Sequence, residues 1–405
     1  MNFKSYMISD LIDEIAMGPF GSNIKKDCFV DNGIPVLNGS NLDGFELKED
    51  SFHFVTEGKA DSLNKANAHR GDIVITHRGT LGQIIYIPLT SKYERYVISQ
   101  SQFKVRCNEK VIPEYLVYYF HTRLGQHKLL SNASQVGVPA LARPTSTFQQ
   151  IEIELPEMDI QKRIVEILNV LQSKIQNNQR INDTLQQQIT IIFKSWFIDF
   201  IPFGGERPAK WEEAELGTLT ALISRGITPK YSDDSDQTVI NQKCIRNHTI
   251  DLSCARNHFP KSINEKWLQF GDLLINSTGT GTLGRTAQVW FEPHNLTVDS
   301  HVTIVRPASS ELIFYIGLWG ILHEKEIEAL HTGSTGQTEL PRERVKAMRL
   351  LLPDVETLGR FNNVIAPITA AIVTNQNENR KLASIRDTLL PKLMSGEIDV
   401  SNLPL

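Results

Sequence analysis

The chain has 405 residues, 40% hydrophobic and 22% charged, with a formal net charge of −4, the proportions of an ordinary globular protein with room for roughly two to four domains. No stretch approaches the ~18 unbroken apolar residues of a membrane span, and the opening MNFKSYMISD lacks the apolar core of a signal peptide, so a cytoplasmic protein with no membrane partner is expected. Cys28, Cys107, Cys244 and Cys254 show neither CxxC spacing nor histidines at finger-like intervals, which argues for free thiols and against zinc or disulfides.

Taken in chain order, residues 1–64 carry mostly acids, and the stretch after them turns basic through Lys65, Arg70, Arg78, Lys92, Arg95, Lys104 and Arg106. One face of this first unit could therefore be basic, although a mixed solvated surface explains the charge equally well. Short β-branched or aromatic runs at 73–75, 84–87 and 103–105, bounded by glycine or proline, predict strands. Helical spacing after Pro113 predicts a helix over 113–130. Residues 1–154 form a mixed α/β unit on this reading, and 155–200 a first long helix.

The plan then starts again. GDIVITHRGTLG at 71–82 returns as GDLLINSTGTGTLG at 271–284, and Leu155-Pro156-Glu157 returns 197 residues later as Leu352-Pro353-Asp354. Strands are predicted at 271–276, 286–291 and 302–305, and a helix at 311–330, within a second unit over 201–351. A second long helix follows over 352–395, then a tail over 396–405. A repeat of this length makes the fold a pseudo-dimer in one polypeptide, with a pseudo-twofold between its halves, and suggests a partner with two half-sites.

In the second long helix Leu358, Phe361, Ile365, Ile368, Ile372, Asn375, Asn379, Leu382, Arg386, Leu389 and Leu393 are spaced alternately three and four apart, a heptad seam. The first helix repeats it from Ile160 to Trp196 with one stutter around Ile175. Polar interruptions fall at Asn178 and Asn182, and again 197 positions on at Asn375 and Asn379. If the helices pair antiparallel as a coiled coil, the asparagines cross: Asn178 meets Asn379 and Asn182 meets Asn375, which also sets Trp196 against Phe361 and Ile164 against Leu393. A buried asparagine layer fixes register, because a slide leaves an amide facing Leu or Ile at a cost of roughly 1–3 kcal/mol. About 40 residues at 1.5 Å rise make a rod on the order of 60 Å long; two core helices of a compact domain are the plainer alternative.

Together these features resemble the specificity subunit of a type I restriction-modification enzyme over essentially the whole chain. The resemblance is carried by the doubled unit-plus-helix plan, PVLNGSNLDG at 35–44, the two GTLG turns, GSTGQTEL at 333–340, LPEMDIQKRI at 155–164 and FKSWFIDFIPF at 193–203. It implies two target-recognition domains, each reading one part of a split, asymmetric sequence on double-stranded DNA, with the helices as a ruler between them. It also implies partners: two modification subunits that carry methyl transfer with S-adenosylmethionine, and restriction subunits that use ATP and Mg. No cofactor or metal is expected on this chain, and no catalysis. Family members show a circular organisation, and here Gly396-Glu397-Ile398-Asp399-Val400 echoes Trp196-Phe197-Ile198-Asp199-Phe200.

Absences agree with that division of labour. There is no Asn- or Asp-Pro-Pro-aromatic tetrapeptide to grip a flipped base, and no P-loop. Gly279 to Gly284 spells GxGxxG, but the residues after it look like a strand, not the helix whose N-terminus would hold a phosphate. Asp354 and Glu356 sit near a proline as in some nucleases, but no lysine follows at the required spacing.

Direct readout uses Arg and Lys for guanine, Asn and Gln for adenine, and Ser or Thr for either. The candidates in the first unit are His77, Arg78, Gly79 and Thr80 on the glycine turn, then Lys92, Tyr93 and Arg95. In the second they are Ser277, Thr278, Gly279, Thr280 and Arg285, then Arg246, Asn247, His248, Arg256, Asn257 and His258, with Ser334, Thr335 and Gln337 for phosphate. For any one of these, solvated loop polarity is the competing explanation. Phe193, Trp196, Phe197, Phe200 and Phe203 are read as partly closing the helix–unit junction and partly docking a modification subunit; packing within the chain is the alternative. The rival to DNA recognition is an assembly scaffold that reads no sequence.

Overall fold

The structure, a computed structural model, describes residues 2–134, 137–259, 262–279, 281–333 and 338–401. The chain divides into two compact units, residues 1–175 with 381–405, and residues 176–380.

In the first unit the run Ile73–Thr76 is buried throughout, because both faces of its sheet are covered. Ile73 and Ile75 enter one hydrophobic core with Phe103, Tyr115 and Phe120, while Val74 enters another with Ile85 and Tyr96. Double coverage explains why this strand reads as a continuous apolar run, not an alternating one. The sheet is antiparallel in the order Ile12–Met17, Gln102–Cys107, Ile73–Thr76, Ile84–Tyr86. The second unit has a sheet of the same order, Thr220–Arg225, Val302–Pro307, Leu273–Asn276, Thr286–Gln288. A second sheet flanks each, of five strands in the first unit and three in the second. In both, one pair of its strands runs parallel: Ile34–Val36 with Arg95–Val97, and Thr238–Ile240 with Leu296–Val298. The doubled mixed α/β plan is thus a property of the fold as well as of the sequence.

Each sheet is pinned by a buried carboxylate at the start of its GD motif. Asp72 accepts from Arg106 Nε at 2.8 Å and from its terminal nitrogen at 3.1 Å. Asp272 accepts from Arg306 at 2.8 Å twice. Lys104, itself buried, adds a third charge in the first unit, 3.6 Å from Asp72 and 3.0 Å from Glu14; Ile304 stands at the matching strand position in the second. Burial pushes the Asp272 carboxyl above its ordinary range, against the pull of Arg306.

The helices predicted over 113–130 and 311–330 are each broken in two. Thr122 ends Pro113–His121 and caps Arg123–Leu129, its hydroxyl accepting from the Gly125 amide at 3.0 Å. The two pieces fold so closely that a Cβ on Gly125 would lie 2.1 Å from the Tyr119 carbonyl oxygen. In the second unit the break falls at His323, between Ile313–Leu322 and Glu324–Ala329.

The long helices run Met158–Phe197 and Val355–Met394. Within the second unit their pairing is antiparallel and crossed as expected. Asn178 donates to Asn379 at 2.9 Å, Asn375 donates to Asn182 at 2.9 Å, and the Trp196 and Phe361 rings are 5.7 Å apart. Both amides of the first helix are buried, and Asn182 also reaches the Ile372 carbonyl at 3.3 Å. Within the first unit Ile164 and Leu168 share a core with Leu390 and Leu393, the opposite ends meeting again. Arg386, a seam position, lies over the Phe45 ring at 4.8 Å and donates to Gln172 at 2.8 Å. Asp354 caps the second long helix: its carboxylate accepts from the Thr357 amide at 2.9 Å and from the Trp211 indole at 3.0 Å. Val400, from the tail, is buried in the first unit's core. Among the described residues no helix is long and apolar enough to cross a membrane.

Candidate nucleic-acid interface

Antiparallel pairing decides which loops share an end of the sheet. In the first unit Met17 pairs with Phe103 and Thr76 with Gln102, so the loops after residues 17 and 76 and the loop before 102 emerge together. The glycine turn needs Gly79 at φ +90° and Gly82 at φ +88°, backbone that glycine adopts without strain. Its neighbours fix it: His77 N donates to Ser101 O at 2.8 Å, Gly79 N to Pro139 O at 2.9 Å, and Leu141 N to His77 O at 2.8 Å. Gln126 from the short helix beneath donates to Gly82 O at 2.9 Å. Arg78, Gly79 and Thr80 stand exposed on this braced turn. His77 does not join them as a cation: its ring bonds the Gln100 carbonyl at 3.0 Å, and burial holds it below the usual histidine range.

Lys92, Tyr93 and Arg95 are not brought to this turn. Arg95 pairs with His69 across the flanking sheet, and Arg70 donates to the Tyr93 and Ser91 carbonyls at 3.2 and 2.6 Å. That places them beside Gly71, at the end where the 73–76 strand begins and not where it delivers Arg78. Each is also held by the fold, Lys92 through its backbone. Arg95 pairs with Asp61 at 2.6 Å, the Lys92 amide donates to Glu49 at 3.0 Å, and Tyr93 packs on Phe52 and Tyr96. These three candidates therefore stand apart from the glycine turn.

The second unit repeats the end with different side chains. Gly279, Gly281 and Gly284 all have positive φ, and the strand Thr286–Gln288 follows, so GxGxxG here is a turn between strands. Thr278 bonds His301 Nδ1 at 2.7 Å, and Arg285 donates to the Gly281 carbonyl at 2.8 Å, bracing the turn from within. Ser277 is fully buried, its hydroxyl 2.5 Å from that of Thr303; it faces the sheet interior and is withdrawn as a contact. His258 is likewise fully buried and withdrawn. Asn257 accepts from the Thr238 hydroxyl at 3.1 Å, and Arg256 is exposed, stacked over Tyr231 at 3.7 Å. Thr280, Ser334, Thr335 and Gln337 lie outside the described residues.

Arg246 and Asn247 occupy the tip of a hairpin, Ile245–Arg246 with Thr249–Ile250. Asn247 and His248 both have positive φ, 51° and 57°, the geometry of a tight two-residue turn that suits the strand twist. His248 anchors that tip: its Nδ1 lies 3.4 Å from Glu324, which also accepts from the Thr286 amide at 2.8 Å. The Glu324 carboxylate raises the histidine above its ordinary value, against burial.

The aromatic cluster at the end of the first long helix packs inside its own unit. Phe193 and Phe197 are buried, their rings 5.7 and 4.8 Å from Tyr315, and Phe197 is 4.8 Å from Phe361. A docking role for these two is corrected accordingly. Trp196, Phe200 and Phe203 are half-buried against Phe361 and Trp211.

Two features of this end escaped the sequence reading. Asn38 and Asn241 each cap a short turn beside the glycine loop, accepting from Ser40 and Lys243 amides at 2.8 Å. Gly18 and Gly226 each follow the outer strand so tightly that a Cβ would lie 1.9 Å from a carbonyl oxygen, of Ser99 and Val298 respectively. The signal was available: an Asn after a short strand and a Gly after a longer one recur in both halves.

Comparison with known proteins bears on this arrangement. Residues 6–187 match the family model of the type I restriction modification DNA specificity domain. The chain is 25% identical to the type I restriction enzyme MjaIX specificity subunit of Methanocaldococcus jannaschii, covering 97% of this chain and 93% of that one. It is 23% identical to the HindI specificity subunit of Haemophilus influenzae, covering 81% and 87%. The crystal structure of a type I restriction-modification S subunit from M. genitalium has the same fold, with a TM-score of 0.60 at 14% identity, over 97% of this chain and 96% of that one.

Proposed function

Since the chain belongs to the specificity subunits of type I restriction-modification systems, which recognise DNA sequence and do not themselves catalyse, we propose that it reads a bipartite, asymmetric target on double-stranded DNA. Each glycine-turn end serves as the reader of one half-site. The observation that carries this is one sheet framework used twice with unlike loops: Arg78 and Thr80 on the first turn, and the Arg246–Asn247 tip beside the second. A shared framework suits a common ligand, and unlike side chains suit different base sequences. The antiparallel helix pair, locked by its asparagines, sets the gap between half-sites.

We further assign methyl transfer, with S-adenosylmethionine, to two modification subunits, and ATP- and Mg-dependent work to restriction subunits. The half-buried Trp196, Phe200 and Phe203 are offered as part of a docking surface for the former. Deleting one heptad from each long helix, seven residues at matched positions, tests the reading. The methylome of a host carrying that variant should shift its preferred gap; an unchanged gap refutes the ruler, and loss of any bipartite pattern refutes the two-reader scheme.

A further inference from the structure

A polar cleft of about 230 Å³ opens in the second unit beside the glycine-turn end, lined by Ser224, Arg225, Gly226, Lys266, Glu339 and Arg342. Its walls come from three separated parts of the chain, so the charges are assembled by the fold. Arg225 ends the outer strand Thr220–Arg225 and is held by Glu339 at 2.7 Å and by the Leu340 carbonyl at 3.1 Å. Glu339 is in turn fixed by backbone bonds with Thr332 at 2.8 and 2.9 Å and by its bridge to Thr278. Lys266 reaches across to the Gly226 carbonyl at 3.3 Å. Arg342 is exposed and has no ion pair among the described residues.

We propose that this cleft is a seat for a DNA backbone phosphate, a site that rests on the reading of the second unit as a half-site reader. Three cations face one carboxylate. Glu339 and Arg225 neutralise each other and hold the wall rigid, which leaves Lys266 and Arg342 as the two charges available to a phosphodiester. Such contacts position the duplex without reading it. The anchored pair in its wall is particular to the second half. Strand register puts Met17 where Arg225 stands, and Ala140 where Glu339 stands, in the first unit. By the same register the exposed Arg143 stands where Arg342 does, so the halves share that cation and differ in Lys266 and in the Arg225–Glu339 pair.

The test is the salt dependence of binding by the full chain, with target and randomised duplexes, for the wild type and for the double variant Lys266→Ala/Arg342→Ala. Thermal melting of both confirms folding. The slope of log Kd against log salt should shrink by about one, for the single phosphate the cleft seats, with affinity falling by the same factor on every duplex. Lys266→Arg/Arg342→Lys, which keeps both charges, should restore the slope. An unchanged slope in the folded double variant overturns the site; a loss confined to one sequence overturns it too, by making these residues base readers. A wild type that selects no sequence at all brings down the half-site reading instead, and is seen before any variant is made.

Discussion

The two globular units share a skeleton and differ in what the skeleton displays. Both sheets have the same strand order and the same buried aspartate–arginine clamp, and both glycine turns are braced by a short helix below and an Asn-capped loop beside. Above that line the likeness ends: the first turn shows Arg78 and Thr80 in the open, whereas Arg285 of the second is spent on its own Gly281 carbonyl and the hairpin tip at Arg246 supplies the exposed cation. What is repeated is what a fold needs, and what diverges is what a ligand would touch.

The clamp is where the comparison breaks most forcefully. Asp72→Ala leaves the buried Lys104 and Arg106 to share Glu14, at 3.0 and 3.6 Å, and should destabilise the first unit by about 3–5 kcal/mol, the usual cost of removing one partner from a buried ion pair. Asp272→Ala strands Arg306 alone, which keeps the Glu265 and Trp267 carbonyls at 2.9 and 2.6 Å as partners, and should cost less. Denaturant titration of the two variants measures the difference; equal losses would show that Lys104 adds nothing to the clamp.

Next in size is the asparagine layer. Asn182→Leu leaves Asn375 with its amide facing a side chain that offers no partner, for about 1–3 kcal/mol. Adding Asn375→Leu should recover much of that, since two apolar groups pack where one amide could not pair. Register then suffers where stability does not. Cysteines placed at positions 185 and 372 should cross-link uniquely in the wild-type background and give mixed products in the double-leucine one. A single product in both means the amides do not set the register.

How much of this was readable from the sequence depends on whether a constraint leaves a local mark. Positive φ favours glycine, so the turns at Gly79 and Gly279 were visible, and a seam repeats every three or four residues, so the crossing of Asn178 with Asn379 followed once the two helices were taken as antiparallel. Burial of a single polar residue leaves no such mark. Ser277 and Thr80 look alike on paper; one bonds Thr303 inside the sheet and the other faces solvent. Topology is equally silent locally. Lys92 lies fourteen positions from Arg78 in sequence, yet the antiparallel return of the chain through Ile84–Tyr86 carries it to the other end of the sheet. The Thr122 and His323 breaks were hidden because the apolar pattern continues through both.

At the level of function, Arg78→Ala should relax preference at one half-site by roughly 1–3 kcal/mol and leave the other intact. Competition between duplexes altered in one half at a time measures this. Uniform loss across all of them would demote Arg78 to a phosphate contact and erase the contrast between display and skeleton at that turn.

The smallest effect is a pH dependence confined to the second unit. The His248 Nδ1 lies 3.4 Å from Glu324, and that carboxylate lifts its pKa above the ordinary 6.5. A histidine raised on folding contributes its stability fully below that ordinary value and loses it as pH climbs through the raised one. The hairpin tip carrying Arg246 and Asn247 should therefore be held more firmly at pH 6 than at pH 8. Phe45 does the corresponding job in the first unit, packed on His121 at 4.3 Å and under Arg386; burial shifts His121 down instead, so acidification brings no comparable gain there. Amide exchange at 245–250, corrected for the intrinsic pH dependence of exchange, should slow on acidification while exchange at 43–47 does not. His248→Gln should flatten the response at 245–250, and a flat wild-type profile there would mean the Glu324 ion pair does not anchor the tip.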